Sequence, residues 1–352
     1  LTSFATAEPK SDLTDNPNVC VSSNNEELLS VIIPVKNESK NILALIECLA
    51  TQRYPAINNE IIIVDDNSTD NTYPEAVRLT KSLNNFRVYQ NSSTGKKNAI
   101  HYGITRSKGD LIITTDADCR FEPGWLASIH QRWTSTMADL IIGNVGMSCR
   151  NILLAPLIEI EHSSIQAVTN GSITLGRPVM ASGANMAFTR ELAEGYLDYI
   201  KPEIDSGDDM FLLHHAKRKG KTIVFNSSIE GGVKTMFEGS LMDFLRQRSR
   251  WSAKSIYYKD SDTIILGTIT AITNIIIVAA LVLTVIFPPI IIITLLLYII
   301  KSVPDILILT KMNRYPSRKY LKFWFIPLQL VYPIYVTITL IFGILSKTRW
   351  NN

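Results

Sequence analysis

The sequence has little charge and almost no imbalance in it. Charged residues make up 19% of the 352-residue chain and the formal net charge is +3, whereas typical soluble domains carry roughly 25% charged residues. So small an excess excludes a general polyanion partner such as nucleic acid. Cysteine is scarce: Cys20, Cys48, Cys119 and Cys149 lie far apart, with no C-x-x-C pair. That spacing excludes a zinc ribbon and argues against a disulfide framework, so all four read as reduced thiols of a cytoplasmic compartment. Cys119 reads as a small buried residue beside a loop. Neither G-x-G-x-x-G nor G-x-x-x-x-G-K-[ST] occurs, which disfavours dinucleotide and P-loop sites. His162, His214 and His215 show no metal-ligand spacing. Residues 1–28 lack both a basic n-region and an apolar h-region, so they read as a flexible lead-in and not as a signal peptide or a membrane span. The first residue is Leu, which leaves open an upstream piece such as another membrane helix.

What is present divides sharply. No Asp, Glu, Lys or Arg occurs from Thr263 to Ile300, nor from Phe323 to Ser346, while the residues before 260 have the composition of a soluble domain. A wholly soluble chain is thereby excluded, and so is a transporter that spans the membrane along its whole length. In the soluble part, Val31-Ile32-Ile33-Pro34-Val35, Ile61-Ile62-Ile63-Val64, Phe86-Arg87-Val88-Tyr89 and Leu111-Ile112-Ile113-Thr114-Thr115 read as strands. Helical spacing lies between them, at Asn41–Leu49, Asp70–Leu83 and Lys96–Ser107. This alternation predicts an α/β domain with a doubly wound, mostly parallel sheet, whose ligands belong at the carboxyl ends of its strands. The expected layout is a catalytic domain over 29–239 and an amphipathic segment over 240–262, lying at a membrane interface or packed on that domain. A membrane region of two to three helices follows over 263–346, with a tail over 347–352. Lys301, Pro304 and Asp305 make the second stretch the poorer span; Lys301 and Asp305 are four apart, as an ion pair shielded from lipid would be. Basic residues at Arg246, Arg248, Arg250, Lys254 and Lys259, and again from Lys311 to Lys322, place both of those connections and the catalytic domain in the cytoplasm. Lys347 and Arg349 fit that orientation poorly if all three stretches span.

Acids close two of the strands, as Asp65-Asp66 and as Thr115-Asp116-Ala117-Asp118. Two carboxylates at i and i+2 leaving a strand can turn toward one hard cation, Mg2+ or Mn2+, with a diphosphate completing its shell; an Asx-turn cluster is the plainer alternative. Gly95-Lys96 puts a cation at a helix start, where a phosphate can bind, with a solvated basic turn as the equal alternative. Asp208-Asp209 precedes an apolar run, where an acid pair serves as a helix N-cap. Gln247-Arg248-Ser249-Arg250-Trp251 stands beside the membrane stretch. Trp251 offers a ring for a sugar to stack on, or an interfacial belt residue.

Taken in order, these pieces resemble the family 2 glycosyltransferases of GT-A fold, in the membrane-bound branch with the cellulose, hyaluronan, chitin and poly-N-acetylglucosamine synthases. Ser182-Gly183-Ala184-Asn185 and Gly207-Asp208-Asp209 belong to the match, which runs from about Leu29 to Tyr258. The resemblance implies a GT-A domain followed by C-terminal transmembrane helices in the cell membrane. Pro34, Val35, Asn37 and Glu38 would line the nucleotide pocket, Asp66 would contact uracil or ribose, and Lys96 would lie nearby. Asp116 and Asp118 look like the D-x-D, with Asp118 the more direct ligand of Mn2+ or Mg2+. Asp209 matches the general base; the family more often has Glu where this chain has Asp208, so the choice between the two acids stays open. Gln247, Arg248, Arg250 and Trp251 would serve the acceptor terminus and the diphosphate. The implied reaction is inverting transfer from a UDP-sugar to a growing polysaccharide or to a lipid acceptor. A partner subunit or a homo-oligomer would complete a membrane channel. A silent, nucleotide-sugar-binding scaffold is the reading from outside the enzyme class.

Overall fold

The computed structural model describes residues 27–200, 207–311 and 318–345. Most of the lead-in with Cys20, Ser206, Arg314 and the tail with Lys347 and Arg349 lie outside the described residues. The first apolar run forms β1 (Leu29–Val35), followed by α1 (Ile42–Ala50), β2 (Asn59–Asp65), α2 (Thr72–Thr80), β3 (Phe86–Gln90), α3 (Lys96–Arg106) and β4 (Leu111–Thr114). Val31, Ile32, Ile33, Ile61, Ile62, Ile63 and Ile113 are fully buried. A run apolar at every position suits a strand covered on both faces, and each buried Ile contributes about 1.5–3 kcal/mol. Pro34 is tolerated near the end of β1 for a topological reason. The β1–β4 register stops at Ile32↔Thr114, and the side of β1 facing β4 is open beyond it, so no ladder bond needs the missing N–H.

Beyond β4 come β5 (Arg120–Phe121), α4 (Trp125–Thr136), β6 (Leu140–Gly143), β7 (Val145–Cys149), α5 (Ala155–Thr174) and β8 (Met186–Thr189). Then follow the short helices α6 (Arg190–Ala193) and α7 (Tyr196–Tyr199), α8 (Asp208–Arg218), β9 (Ile223–Asn226) and β10 (Val233–Phe237). The main sheet has seven strands in the order β3-β2-β1-β4-β8-β6-β9. All neighbours are parallel except β8, which runs antiparallel to both β4 and β6. The mostly parallel α/β sheet read from the sequence is therefore present. Its one reversed strand brings the start of β8 to the edge where the parallel strands end. There Asn185, just before β8, is buried; its carbonyl accepts the Gly143 N–H at 2.8 Å, and its amide donates to the Asn144 and Gly231 carbonyls at 2.9 Å each.

The chain divides into two compact units. One holds the main sheet, up to Gly146 and from Met180 to Met236; the other holds Met147–Val179 and the chain from Phe237 on. Helix α5, which lies inside the stretch 29–239, thus groups with the C-terminal helices α9 (Leu241–Lys254), α10 (Ser261–Ile286), α11 (Ile291–Lys311) and α12 (Arg318–Leu345). Among the described residues, Ser261–Ile286, Pro288–Thr310 and Phe323–Ile344 are long and apolar enough to cross a membrane. Lys301 does not face lipid alone: its ammonium lies 2.7 Å from Asp305 Oδ2 and 2.5 Å from Gln329 Oε1, and Gln329 Nε2 closes the triangle on Asp305 at 2.8 Å. This is the ion pair expected from the i, i+4 spacing, joined by an amide.

Candidate active site

The sheet unit gathers its acids at the carboxyl ends of β1, β2 and β4. Asn37 and Asn67 each stand two residues past a strand, each with φ 57°. Asparagine tolerates this left-handed backbone better than most residues. Asn37 Oδ1 accepts the Thr69 N–H at 2.8 Å, and the Asn37 N–H donates to Ser68 Oγ at 2.9 Å, so the two loops are stitched together. Val35 is buried in register with Asp65, and Pro34 is half-buried above it. Asp66, 4% exposed, is fixed by the Asn91 amide at 3.0 Å and the Gly95 N–H at 2.8 Å, with Lys36 at 3.4 Å from its other oxygen. Gly95 carries φ 103°, a conformation that only glycine adopts without strain.

That turn launches α3 with Lys96 in its first turn. The Lys96 ammonium lies 2.5 Å from Asp116 Oδ1. Burial works against this charge, but Asp116, Asp208 and Asp209 outweigh it and raise the pKa, so Lys96 is a fixed cation. Asp208 and Asp209 open α8. Asp208 is buried; Asp209 Oδ1 accepts the Met210 N–H at 2.8 Å and Oδ2 the Gly183 N–H at 3.3 Å. Glu38 faces the same cluster. Burial raises its pKa, an Asn41 hydrogen bond opposes the rise, and Asp118, Asp116 and Asp70 add to it. Asp118 is exposed, with Oδ2 accepting Thr235 Oγ1–H at 2.8 Å. Burial first, and then Asp116 and Asp118, push the Cys119 thiol well above its ordinary range. It stays protonated and inert, as a buried loop residue should.

The structure thus brings Glu38, Lys96, Asp116, Asp118, Asp208 and Asp209 into one neighbourhood, with Asp66 fixed beside Gly95. Thr235 and Asn91 were not legible as members of it. The antiparallel pairing of β10 with β5, with Lys234 opposite Arg120, carries Thr235 to Asp118 across 117 residues of sequence. No local spacing signals such a contact.

In the other unit, Ser240 and Asp243 form a capping box at the start of α9. Arg248 is 5% exposed and bound to Glu161 of α5 through three contacts of 2.6–3.1 Å. Gln247 and Trp251 are half-buried and Arg250 is exposed. Arg248 therefore lies inside the unit, while Arg250 is on its surface.

Residues 30–197 match the family described as Glycosyl transferase family 2. The glycosyltransferase AglE of Haloferax volcanii is 32% identical over 124 residues, covering 35% of this chain and 41% of the relative. A hyaluronan synthase of Streptococcus pyogenes serotype M1 is 25% identical over 251 residues, covering 66% of this chain and 58% of the synthase. The chain therefore spans only about half the length of these curated relatives. Among solved structures, the mannosyltransferase PcManGT from Pyrobaculum calidifontis, in complex with GDP-Man and Mn2+, aligns with a TM-score of 0.53 at 17% identity. That alignment covers 92% of this chain and 89% of the mannosyltransferase, and the likeness is one of fold. The mostly parallel, GT-A-like sheet thus carries a glycosyl transferase family 2 domain over residues 30–197.

Proposed function

We propose that the chain is a membrane-anchored inverting glycosyltransferase that moves a hexose from a UDP-sugar to a growing cell-surface polysaccharide, with its sheet unit on the cytoplasmic side of the cell membrane. The observation that carries this reading is the cluster at the strand ends, where Lys96 is held between Asp116 and the acids Asp208 and Asp209. Five carboxylates gathered with one lysine would repel a diphosphate unless a cation stood between them. The residues fit a divalent ion. Asp116 and Asp118 offer hard oxygens, and no group of three or more His, Cys, Asp and Glu among the described residues forms a cage of its own. Two carboxylates completed by phosphate and water oxygens is the way Mg2+ is held in nucleotide sites, and Mn2+ takes similar ligands. Bound there by Asp118 and Asp116, such an ion would supply charge stabilisation to the leaving diphosphate.

The chain's own residues do the rest. Asp66, braced by Asn91 and Gly95, presents a fixed carboxylate to the nucleoside. Lys96 offers a permanent positive charge to phosphate oxygens. Asp209 would take the proton of the attacking acceptor hydroxyl as its oxygen bonds to the sugar C1 and the C1–diphosphate bond breaks. One displacement from the opposite face inverts the anomeric centre and needs no nucleophilic carboxylate. Gln247, Arg250 and Trp251 would hold the acceptor end.

The test incubates the full chain with Mn2+ or Mg2+, native lipid extract and a panel of radiolabelled UDP-sugars plus GDP-mannose. A high-molecular-weight product supports polymer synthesis, and a chloroform-soluble product bearing one sugar redirects the assignment to lipid glycosylation. Nucleotide-sugar binding without product across the panel leaves the scaffold reading in its place. A further prediction concerns Thr235. Its hydroxyl orients Asp118, so Thr235→Val is expected to raise the Mn2+ concentration for half-maximal nucleotide-sugar binding about tenfold, the usual cost of losing a partner of a ligand. Titration of both proteins with Mn2+ at fixed UDP-sugar checks it.

A further inference from the structure

Helix α9 presents Phe244, Arg248 and Trp251 on one face, at i, i+4 and i+7. The Arg248 guanidinium carbon lies 4.6 Å from the Phe244 ring centroid and 4.1 Å from that of Trp251, so the cation is sandwiched between the two rings. Its Nε and Nη2 donate to Glu161, and Nη1 donates to Gln247 Oε1 at 2.9 Å. Glu161 is itself buried and accepts the Tyr335 hydroxyl at 3.2 Å. Tyr335, from α12, stacks on the far neighbour Phe244 with centroids 5.6 Å apart. Three helices, α5, α9 and α12, therefore meet at one guanidinium.

We propose that Arg248 is a positioning residue for the acceptor end of the reaction: clamped by Glu161 and Tyr335, it fixes the side-chain orientations of Gln247 and Trp251. The proposal rests on the reading of Gln247 and Trp251 as acceptor-end residues. A guanidinium N–H can only donate, so the Gln247 oxygen must face it, which leaves the Gln247 NH2 to donate to a hydroxyl or phosphate oxygen. Trp251 has one face of its indole covered by the cation, so a sugar ring can stack on the other face alone. A lysine at position 248 would keep the charge but lose the planar fork that reaches Glu161 and Gln247 together and lies flat on the rings.

The experiment uses the full chain in lipid nanodiscs, with radiolabelled UDP-sugar and native lipid extract as the acceptor source. Arg248→Lys is expected to raise the extract concentration giving half-maximal rate about tenfold, with the donor KM held within about twofold, because the fork is lost and the charge is not. Exchanging the pair, Glu161→Arg with Arg248→Glu, is expected to recover thermal stability lost in Glu161→Gln without recovering the acceptor response, since a glutamate can neither donate to Gln247 nor stack on Trp251. A purely structural pair would recover both, and that result would overturn the proposal; so would donor and acceptor constants that move together in Arg248→Lys. Acrylamide quenching provides a readout free of turnover. The part of the emission that disappears in Trp251→Phe should become more quenchable in Arg248→Lys. If the unmodified chain transfers no sugar, the functional reading fails; Trp251 emission unchanged by Arg248→Lys sinks the positioning role itself.

Discussion

Asp209→Asn is expected to lower the transfer rate by about 10²–10⁴-fold, the range that a positioned general base contributes, while UDP-sugar binding changes little. Asp209 accepts backbone N–H groups from Met210 and Gly183 on its two oxygens. Asparagine can keep one of these bonds through its own oxygen, so the start of α8 survives and the loss is chemical. The companion Asp208→Asn separates the two acids. Asp208 is buried and contributes to the field that holds Lys96 charged, so its loss should weaken nucleotide-sugar binding more than the chemical step. Single-turnover rates with donor saturation curves for both variants check this. A larger rate loss for Asp208→Asn than for Asp209→Asn would exchange the two roles.

Asp118→Ala is expected to abolish the divalent-dependent part of nucleotide-sugar binding, a loss of about a hundredfold or more for a direct ligand whose removal costs at least as much as that of an outer partner. Calorimetric titration with Mn2+ and with EDTA measures it. Asp116→Ala is a less clean variant, because removing that carboxylate also releases Lys96 from its 2.5 Å partner. A freed ammonium can then hold phosphate by itself and hide part of the loss. Metal-independent binding of equal strength in the unmodified chain and in Asp118→Ala would remove the ion from the mechanism.

The parts of this site that were legible in the sequence are those that local pattern controls. Three apolar runs became the adjacent parallel strands β2, β1 and β4, because a strand covered on both faces shows its burial at nearly every position, while β3 lies at the sheet edge with Arg87 exposed. Asp66, Asp116 and Asp118 followed as the residues just beyond strand ends, and Lys96 as the residue just inside a helix. What was not legible depends on contacts between distant segments. The reversed strand β8 carries the same kind of apolar residues as its parallel neighbours, and nothing in Met186-Ala187-Phe188-Thr189 states its direction. Arg248 stands within a recognisable motif that implies a role at the acceptor terminus and the diphosphate, yet its partner Glu161 lies 87 residues away and draws it inside. A charged residue's exposure is set by whether a counter-charge exists across the fold, which a sequence window does not contain.

The bond between Gly143 and Asn185 bears on how this chain can vary. Everything from Asn144 to Ala184, including all of α5, leaves the sheet and rejoins it through two neighbouring backbone positions closed by one carbonyl and sealed by one buried amide. For the sheet, that long segment is equivalent to the turn of a hairpin. Closing such a loop becomes only slowly more costly as it lengthens, by about 0.6 kcal/mol for each doubling. Changes of length between β7 and Gly183 can therefore accumulate without disturbing the strands that present Asp116 and Asp118, while β7, which pairs with β10, and Gly183, whose N–H holds Asp209, stay in place. Asn185 is the fastening they must leave in place. A sheet closed in this way can accept different apolar helices as interchangeable parts; on the proposed function, its donor chemistry would stay constant while the destination of the sugar is rewritten.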